Sequence, residues 1–460
     1  ASKTDNRDSI EEAMLETTPT TEMTLTGGPR YVIGRYRVRV ESLLLDGLSH
    51  GVILEVIASP DEASFAAVHG PGRAIEPPTE FTFIGGLPGE IVDVEARWSL
   101  PRPGRKRAKR VPPPQVRLIG VVTSAQDRAT PCCLVFGECG GCQLQHMDYA
   151  AQLIWKRERV VSALQGAGFN DPPIESTIGC DSPWGYRNHM RFSVNWEGQP
   201  GLTARGSHRV LPLTNCPLAH PRINDALATL AKEKLARPQV VIRYGIATGQ
   251  MLVQPHPAAD ALKRLRAASL DVRDETIEEK MGDARFRIRP SSFFQTNTAQ
   301  ANRMAALVLN HMPSGPDVTL VDAYCGVGAF ARLLAGRAGT VLAIEESASS
   351  IRDARWNLRE SPNVEIIQAK VEDVLPGIAR RLDGLVIDPP RAGCQRSVLD
   401  ALIARRVPRV AYVSCNPDTL ARDLAILCLH SNAYTLVSVQ PLDMFPQTAH
   451  IENVAVLEAR

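Results

Sequence analysis

Apolar residues along this chain follow three different rhythms, and each predicts a different kind of structure. Between residues 30 and 124 they fall in short β-type runs, at 36–45, 51–56, 81–84, 90–97 and 116–122, broken by Gly and Pro. Short strands closed by such turn formers predict a small OB-like barrel. Over 148–168 the period changes: Leu153, Ile154, Val160, Val161 and Leu164 recur at helical spacing until Gly166 and Gly168 stop them. Strands and turns are expected over 183–223, with Arg187, Arg191, Arg205 and Arg209 adding positive charge. From residue 271 onward, β-runs at 318–322, 340–345, 364–368, 384–388 and 410–414 alternate with helical stretches. Buried strands separated by helices predict a parallel, doubly wound sheet. Residues 1–29, rich in Thr and Glu, show no apolar period and read as a disordered arm. The expected organisation is multidomain: an N-terminal barrel at 30–124, an α+β middle domain at 125–270 and a Rossmann-like α/β domain at 271–460.

Composition supports folded domains and narrows their setting. A chain of 460 residues, 44% hydrophobic and 22% charged, exceeds what one core can organise. No apolar stretch reaches the ~18–20 residues of a membrane span, and the first residues are polar and acidic, so a soluble, cytoplasmic protein without a membrane partner is expected. The net charge of +2 gives no general attraction to nucleic acid. Any basic surface must be local, and one run lies at 102–110, where Arg102, Arg105, Lys106, Arg107, Lys109 and Arg110 interleave with Pro and Gly. Such a loop either stays solvated or tracks a phosphate backbone.

Ten cysteines in a reducing compartment point to metal binding or catalysis rather than disulfides. Cys133, Cys139 and Cys142 stand in one loop, where Gly140 and Gly141 let the backbone curl so that several thiolates can face one centre. Cys216, before Pro217, is the candidate fourth ligand, and Cys132 is a neighbour that leaves the assignment ambiguous. An iron–sulfur cluster, tetrahedral zinc and buried free thiols all fit this spacing.

Two further patterns belong to the α/β domain. The run from Leu320 through Asp322 to Gly326 and Gly328 has the form of a strand entering a glycine turn and a helix, with Glu345 closing the next strand as an acceptor for ribose hydroxyls. That suits either S-adenosylmethionine or a dinucleotide. Cys415 directly follows an apolar strand at the sheet edge where catalytic groups gather, and Glu452 begins the last β-run. Nucleophile and base are one reading of this pair, and a structural thiol with a surface acid is the other.

In combination these motifs resemble the RNA 5-methyluridine methyltransferases. The carriers are Cys133-x5-Cys139-Gly-Gly-Cys142 with Gln145-His146, Asp388-Pro-Pro-Arg391, Ser414-Cys415-Asn-Pro417 and His450-x-Glu452-x-Val454; the turn Gly85–Val92 resembles the TRAM domain. The resemblance spans roughly residues 133–456. It implies a 4Fe–4S cluster on Cys133, Cys139, Cys142 and Cys216, and S-adenosylmethionine bound by Gln295, Tyr324, Glu345 and Asp388 around the glycine turn. It implies Cys415 as nucleophile and Glu452 as base in methylation of uridine carbon 5. The RNA partner it suggests is large-subunit ribosomal RNA ahead of transfer RNA, and the enzyme is expected to be a monomer. Ala329 and Lys370 depart from the pattern, standing where related enzymes often carry Asn. An RNA cytosine-5 methyltransferase and a non-catalytic RNA-binding module are the rival readings.

Overall fold

The structure, a computed structural model, describes residues 31–59, 78–99 and 113–460. The expected arm at 1–29 and the basic run at 102–110 lie outside the described residues.

Five antiparallel strands form the N-terminal unit: β1 (Tyr31–Leu43), β2 (Ser49–Ala58), β3 (Glu80–Phe83), β4 (Ile91–Ser99) and β5 (Gln115–Thr123), in the order β3-β2-β1-β4-β5. The sheet curls until β3 lies against β5. Alternation along the strands sends Val38, Val40, Phe81, Val92 and Val94 into one core, where the Tyr36 and Phe81 rings meet edge to face at 5.1 Å. Buried Glu90 fastens this unit to the next, accepting from Leu87 N (2.8 Å) and Ala125 N (3.0 Å) and pairing with Arg128.

The helix expected at 148–168 is α1 (Tyr149–Gly166), capped by Asp148. Its packing differs from the amphipathic reading. Ile154 is 60% exposed, whereas Gln152, Lys156 and Arg159 are buried beside Val160 and Leu164. Beyond it, β6 (His189–Val194), β7 (Pro200–Thr203) and β8 (Val210–Pro212) follow the strand reading of 183–223, which ends early because α2 (Pro221–Leu230) begins there. Pro221 at the first helical position and the His220 cap start that helix, and Ile223, Ala226, Leu227 and Leu230 bury its face. After β9 (Gln239–Tyr244), β10 (Gln250–Gln254) and α3 (Ala259–Ala267) comes β11 (Asp271–Arg273), which pairs with β10. The middle sheet, ordered β11-β10-β9-β6-β7-β8, thus runs past the expected boundary at 270.

A hairpin, β12 (Ile277–Met281) and β13 (Ala284–Ile288), precedes α4 (Thr298–His311). The doubly wound part then alternates β14 (Gly315–Ala323), α5 (Ala329–Ala335), β15 (Ala338–Glu345), α6 (Ala348–Asn357), β16 (Val364–Gln368), α7 (Val371–Val374), β17 (Gly384–Ile387), α8 (Arg396–Arg405) and β18 (Arg409–Ser414). The helix after β18 is α9 (Pro417–Leu424), continued by a wider π turn at Ala425–His430. β19 (Tyr434–Leu442) and β20 (Glu452–Ala459) complete a seven-stranded sheet ordered β16-β15-β14-β17-β18-β20-β19. Its first five strands are parallel, as the alternation predicts, and β20 enters antiparallel between β18 and β19.

One face of this sheet is covered by α8, α9 and, from the middle of the chain, α1, whose Val160 and Leu164 join the core of Tyr412, Leu424 and Val439. Ile174 and Ile178 then bridge to Val439 and Leu442 along the β19 edge. Residues 149–178 therefore pack on the C-terminal sheet, although the sequence places them with the middle domain. Periodicity shows that a helix has an apolar side, not which sheet receives it. Among the described residues no helix is long and apolar enough to cross a membrane.

Candidate active site

The antiparallel ladder between β18 and β20 ends on the pair Ser414 and Asn453, with Asn453 Nδ2 donating to the Ser414 carbonyl at 3.2 Å. The ladder stops there, one residue short of Cys415 and Glu452, and Glu452 acts electrostatically on the Cys415 thiol. The end of the sheet thus brings near two residues that stand far apart in sequence. Asp388, directly after β17, ends the strand beside β18 and completes a group of one thiol and two carboxyls.

Charge in this group is held back by burial. Glu452 is 4% exposed, and burial, with Asp388 nearby, raises its carboxyl well above the usual range. Burial also pushes Asp388 up to about 7. The half-buried Cys415 thiol is pushed up to about 11, first by burial and then by Glu452 and Asp388, with Arg391 opposing. Because the thiolate is the reactive form, a raised value means little of it below that pH. Alkylation of Cys415 by iodoacetamide in the free protein should therefore stay slow at neutral pH and climb until about pH 11, well beyond the ~8.5 of an ordinary cysteine. Peptide mass analysis across a pH series checks this, and a rise centred near 8 would contradict the described surroundings.

The loop after Cys415 is braced by its neighbours. Asn416 caps α9 by accepting from Asp418 N, and it donates through Nδ2 to the Arg391 carbonyl at 3.2 Å. Thr419 Oγ1 donates to the same carbonyl, so the Asp-Pro-Pro-Arg turn and the cysteine turn form one unit.

The glycine turn lies at the carboxyl end of β14. Tyr324, Gly326 and Gly328 have φ of 64°, 56° and 83°, and a β-carbon on Gly328 would stand 2.9 Å from the Leu358 side chain. Only glycine suits that last position. Glu345, at the end of β15, accepts from Gly326 N (3.1 Å) and Ser347 N (2.7 Å), so its carboxylate clamps the turn as well as facing it. Asp322, which the sequence marks only as part of the strand entering the turn, has surroundings of its own. It is fully buried, its Oδ2 accepts from Ala331 N at 2.7 Å, its Oδ1 has no partner, and burial pushes it up to about 8. An acid inside an otherwise apolar strand was the available signal. Asp388 and Glu345 both act on it, so turn and thiol group adjoin. Gln295 is set differently: its carbonyl accepts from Asn188 Nδ2 at 3.1 Å, tying its loop to the middle sheet. Phe293, two residues earlier, is 67% exposed.

A second site lies in the middle domain. Cys133, Cys139, Cys142 and Cys216 line one cavity of about 200 Å³ together with Arg187 and His189. Cys132 is exposed. Burial pushes Cys142 up to about 12 and raises Cys139 and Cys216, with neighbouring thiols adding to the effect. Among the described residues no group of three or more His, Cys, Asp or Glu is arranged to hold a metal ion.

Comparison with known proteins adds ancestry to this geometry. Residues 260–460 match the family model described as tRNA (Uracil-5-)-methyltransferase. An uncharacterized RNA methyltransferase of Thermosynechococcus vestitus is 35% identical over 390 residues, covering 74% of this chain and 87% of the relative. One of Gloeobacter violaceus is 37% identical over 396 residues, covering 74% and 85%. The crystal structure of Pyrococcus abyssi tRNA (uracil-54, C5)-methyltransferase in complex with S-adenosyl-L-homocysteine shares the fold over 92% of this chain and 99% of that one, with a TM-score of 0.64 at 24% identity. With identities above a third across most of both chains, and with the uracil-5 family model covering the sheet that carries Cys415 and Glu452, this chain belongs to the RNA uracil-5-methyltransferase family.

Proposed function

We propose that the protein transfers the methyl group of S-adenosylmethionine to carbon 5 of a uridine in RNA, with Cys415 as nucleophile and Glu452 as base. The observation that carries this reading is the cross-strand juxtaposition of Cys415 and Glu452 beside Asp388. Carbon 5 of uracil is a weak nucleophile. Addition of the Cys415 thiolate to carbon 6 moves electrons onto carbon 5 and its carbonyl as an enolate, which then takes the methyl group. Glu452 removes the proton left on carbon 5, the ring double bond re-forms, and the carbon–sulfur bond to Cys415 breaks. Two buried carboxyls with raised affinity for protons favour a cationic ligand. The sulfonium of S-adenosylmethionine is such a cation, and it would draw Glu452 toward the ionised form a base needs. Gly326 and Gly328 give the cofactor close access, with Tyr324, Glu345, Asp388 and Gln295 as its wall.

The four cysteines fit a 4Fe–4S cluster. Cys133, Cys139, Cys142 and Cys216 line one cavity, and four thiolates on one centre suit either an iron–sulfur cluster or zinc; the resemblance of the cysteine loop favours the cluster. Burial holds the thiols of Cys139, Cys142 and Cys216 protonated, so positive charge between them would favour their ionised form. Cys133, Cys139, Cys142 and Cys216 would hold that cluster, which supplies a rigid, multiply charged anchor for the loops. The five-stranded N-terminal unit serves as a TRAM-like RNA-binding barrel in this reading.

Large-subunit ribosomal RNA is the proposed substrate on the joint presence of barrel and cysteine loop. Transfer RNA is the second reading, favoured by the fold shared with the Pyrococcus abyssi enzyme. Mass analysis of RNA from cells lacking the protein decides: one missing 5-methyluridine in ribosomal RNA is expected, a loss in transfer RNA selects the second reading, and missing 5-methylcytidine or no change rejects uridine methylation. Anaerobically purified protein should be brown and contain about four iron per chain; zinc without iron would reject the cluster.

A further inference from the structure

Arg187 stands between the two sites. Its backbone N donates to the Leu218 carbonyl at 2.9 Å, which fixes it against the turn that carries Cys216. The guanidinium borders the cysteine cavity, and its Nε reaches only the Tyr186 hydroxyl, at 3.5 Å. No carboxylate among the described residues pairs with it, and Cys133, Cys139, Cys142 and Cys216 line the same cavity. A half-buried cation surrounded by sulfur is costly unless something anionic faces it. Cluster-bound thiolates carry that charge.

The same guanidinium lies 5.9 Å from the centre of the Phe445 ring, and Phe445 meets His450 edge to face, also at 5.9 Å. Tyr186, next in the chain, donates from its hydroxyl to the Pro446 carbonyl at 3.1 Å. Phe445, Pro446 and His450 belong to the strap 443–451 that joins β19 to β20, and the residue after that strap is Glu452. We propose that Arg187 serves both sites: its guanidinium is the counter-charge of the group held by the four cysteines, and its cation–π contact with Phe445 positions the strap that carries Glu452. This rests on the iron–sulfur reading above. Arg187 touches no reacting atom and is a positioning residue.

The test uses the full chain, purified anaerobically, with two readouts: the midpoint potential of the iron–sulfur centre, followed by its absorbance, and steady-state methylation of RNA. In Arg187→Met the potential should become more negative, because removing a nearby cation disfavours the more negatively charged reduced state. Turnover should fall about 10-fold to 100-fold, the range for residues that orient a metal site from behind its ligands, while KM for RNA holds. Covalent protein–RNA adduct should build up, since the impaired step is proton removal by Glu452. Arg187→Lys should restore the potential but not the turnover, because an ammonium lacks the planar guanidinium face. Phe445→Leu should leave the potential in place and still slow adduct release. An iron-loaded Arg187→Met protein with wild-type potential overturns the proposal alone. A raised KM with unchanged kcat overturns it by making Arg187 an RNA contact. Wild-type protein that holds zinc or no iron overturns the iron–sulfur reading and this proposal together.

Discussion

A protein–RNA complex that survives denaturation should accumulate in Glu452→Gln, carry one methyl group from the cofactor, and be absent from Cys415→Ala and from the double variant. In the proposed mechanism the two side chains act on opposite sides of a covalent intermediate. Without the thiol nothing adds to carbon 6, so Cys415→Ala should bind RNA and cofactor yet lose turnover by about 10,000-fold or more. Glutamine keeps the size and hydrogen bonding of Glu452 but cannot take the proton, so methyl transfer proceeds and release stalls. Gel analysis with labelled cofactor, followed by peptide mapping, reads the result. Residual turnover in Cys415→Ala, or an adduct on Cys394 or Cys325, would remove Cys415 from its role. Both alternatives are buried thiols; Cys394 donates to the Tyr412 hydroxyl within the core, at 3.4 Å, rather than facing the Glu452 end of the sheet.

The second large effect concerns stability. Lys156 and Asp443 are both fully buried, 2.5 Å apart, and Lys156 also donates to the Phe445 carbonyl at 3.2 Å. Lys156→Met should cost about 3–5 kcal/mol, because it leaves the Asp443 carboxylate buried without its cation. Combining it with Asp443→Leu should recover most of that loss, since an apolar pair of similar volume avoids desolvating two charges. Hydrogen exchange at β19 and β20 measures the local stability without requiring the whole chain to unfold in one step. A cost below about 1 kcal/mol would mean the pair behaves as a solvated one.

These two predictions draw on parts of the molecule that differed in legibility. Cys415 was readable because an apolar run ending in a thiol marks the carboxyl edge of a parallel strand, and the alternating runs marked all five parallel strands. The match between Cys415 and Glu452 was not readable in that way, because it depends on β20 entering the sheet between β18 and β19, and local periodicity carries no register between distant segments. Lys156 was hidden for another reason. On α1 the apolar spacing nominated Ile154, which faces out, while Gln152 and Lys156 turn inward to meet Gln447 and Asp443. Polar residues on a buried helix face look like surface until the partner is known. Spacing nominated the four cysteines, and resemblance supplied the choice of iron–sulfur, which spacing left unseparated from zinc.

The insertion of β20 has a consequence for the newborn protein. β18 with its cysteine, the glycine turn and α9 are all synthesised before β20, and β19 cannot pair with the sheet except through β20. At about 5–20 residues per second the chain spends seconds with a nearly finished cofactor fold and no base beside the thiol. Under the proposed mechanism, a half-made chain that met RNA before residues 452–459 slot into the gap could at most attach to it and could not complete the reaction. Completion of the proposed site is thereby tied to β20, which follows both β18 and β19 in the chain.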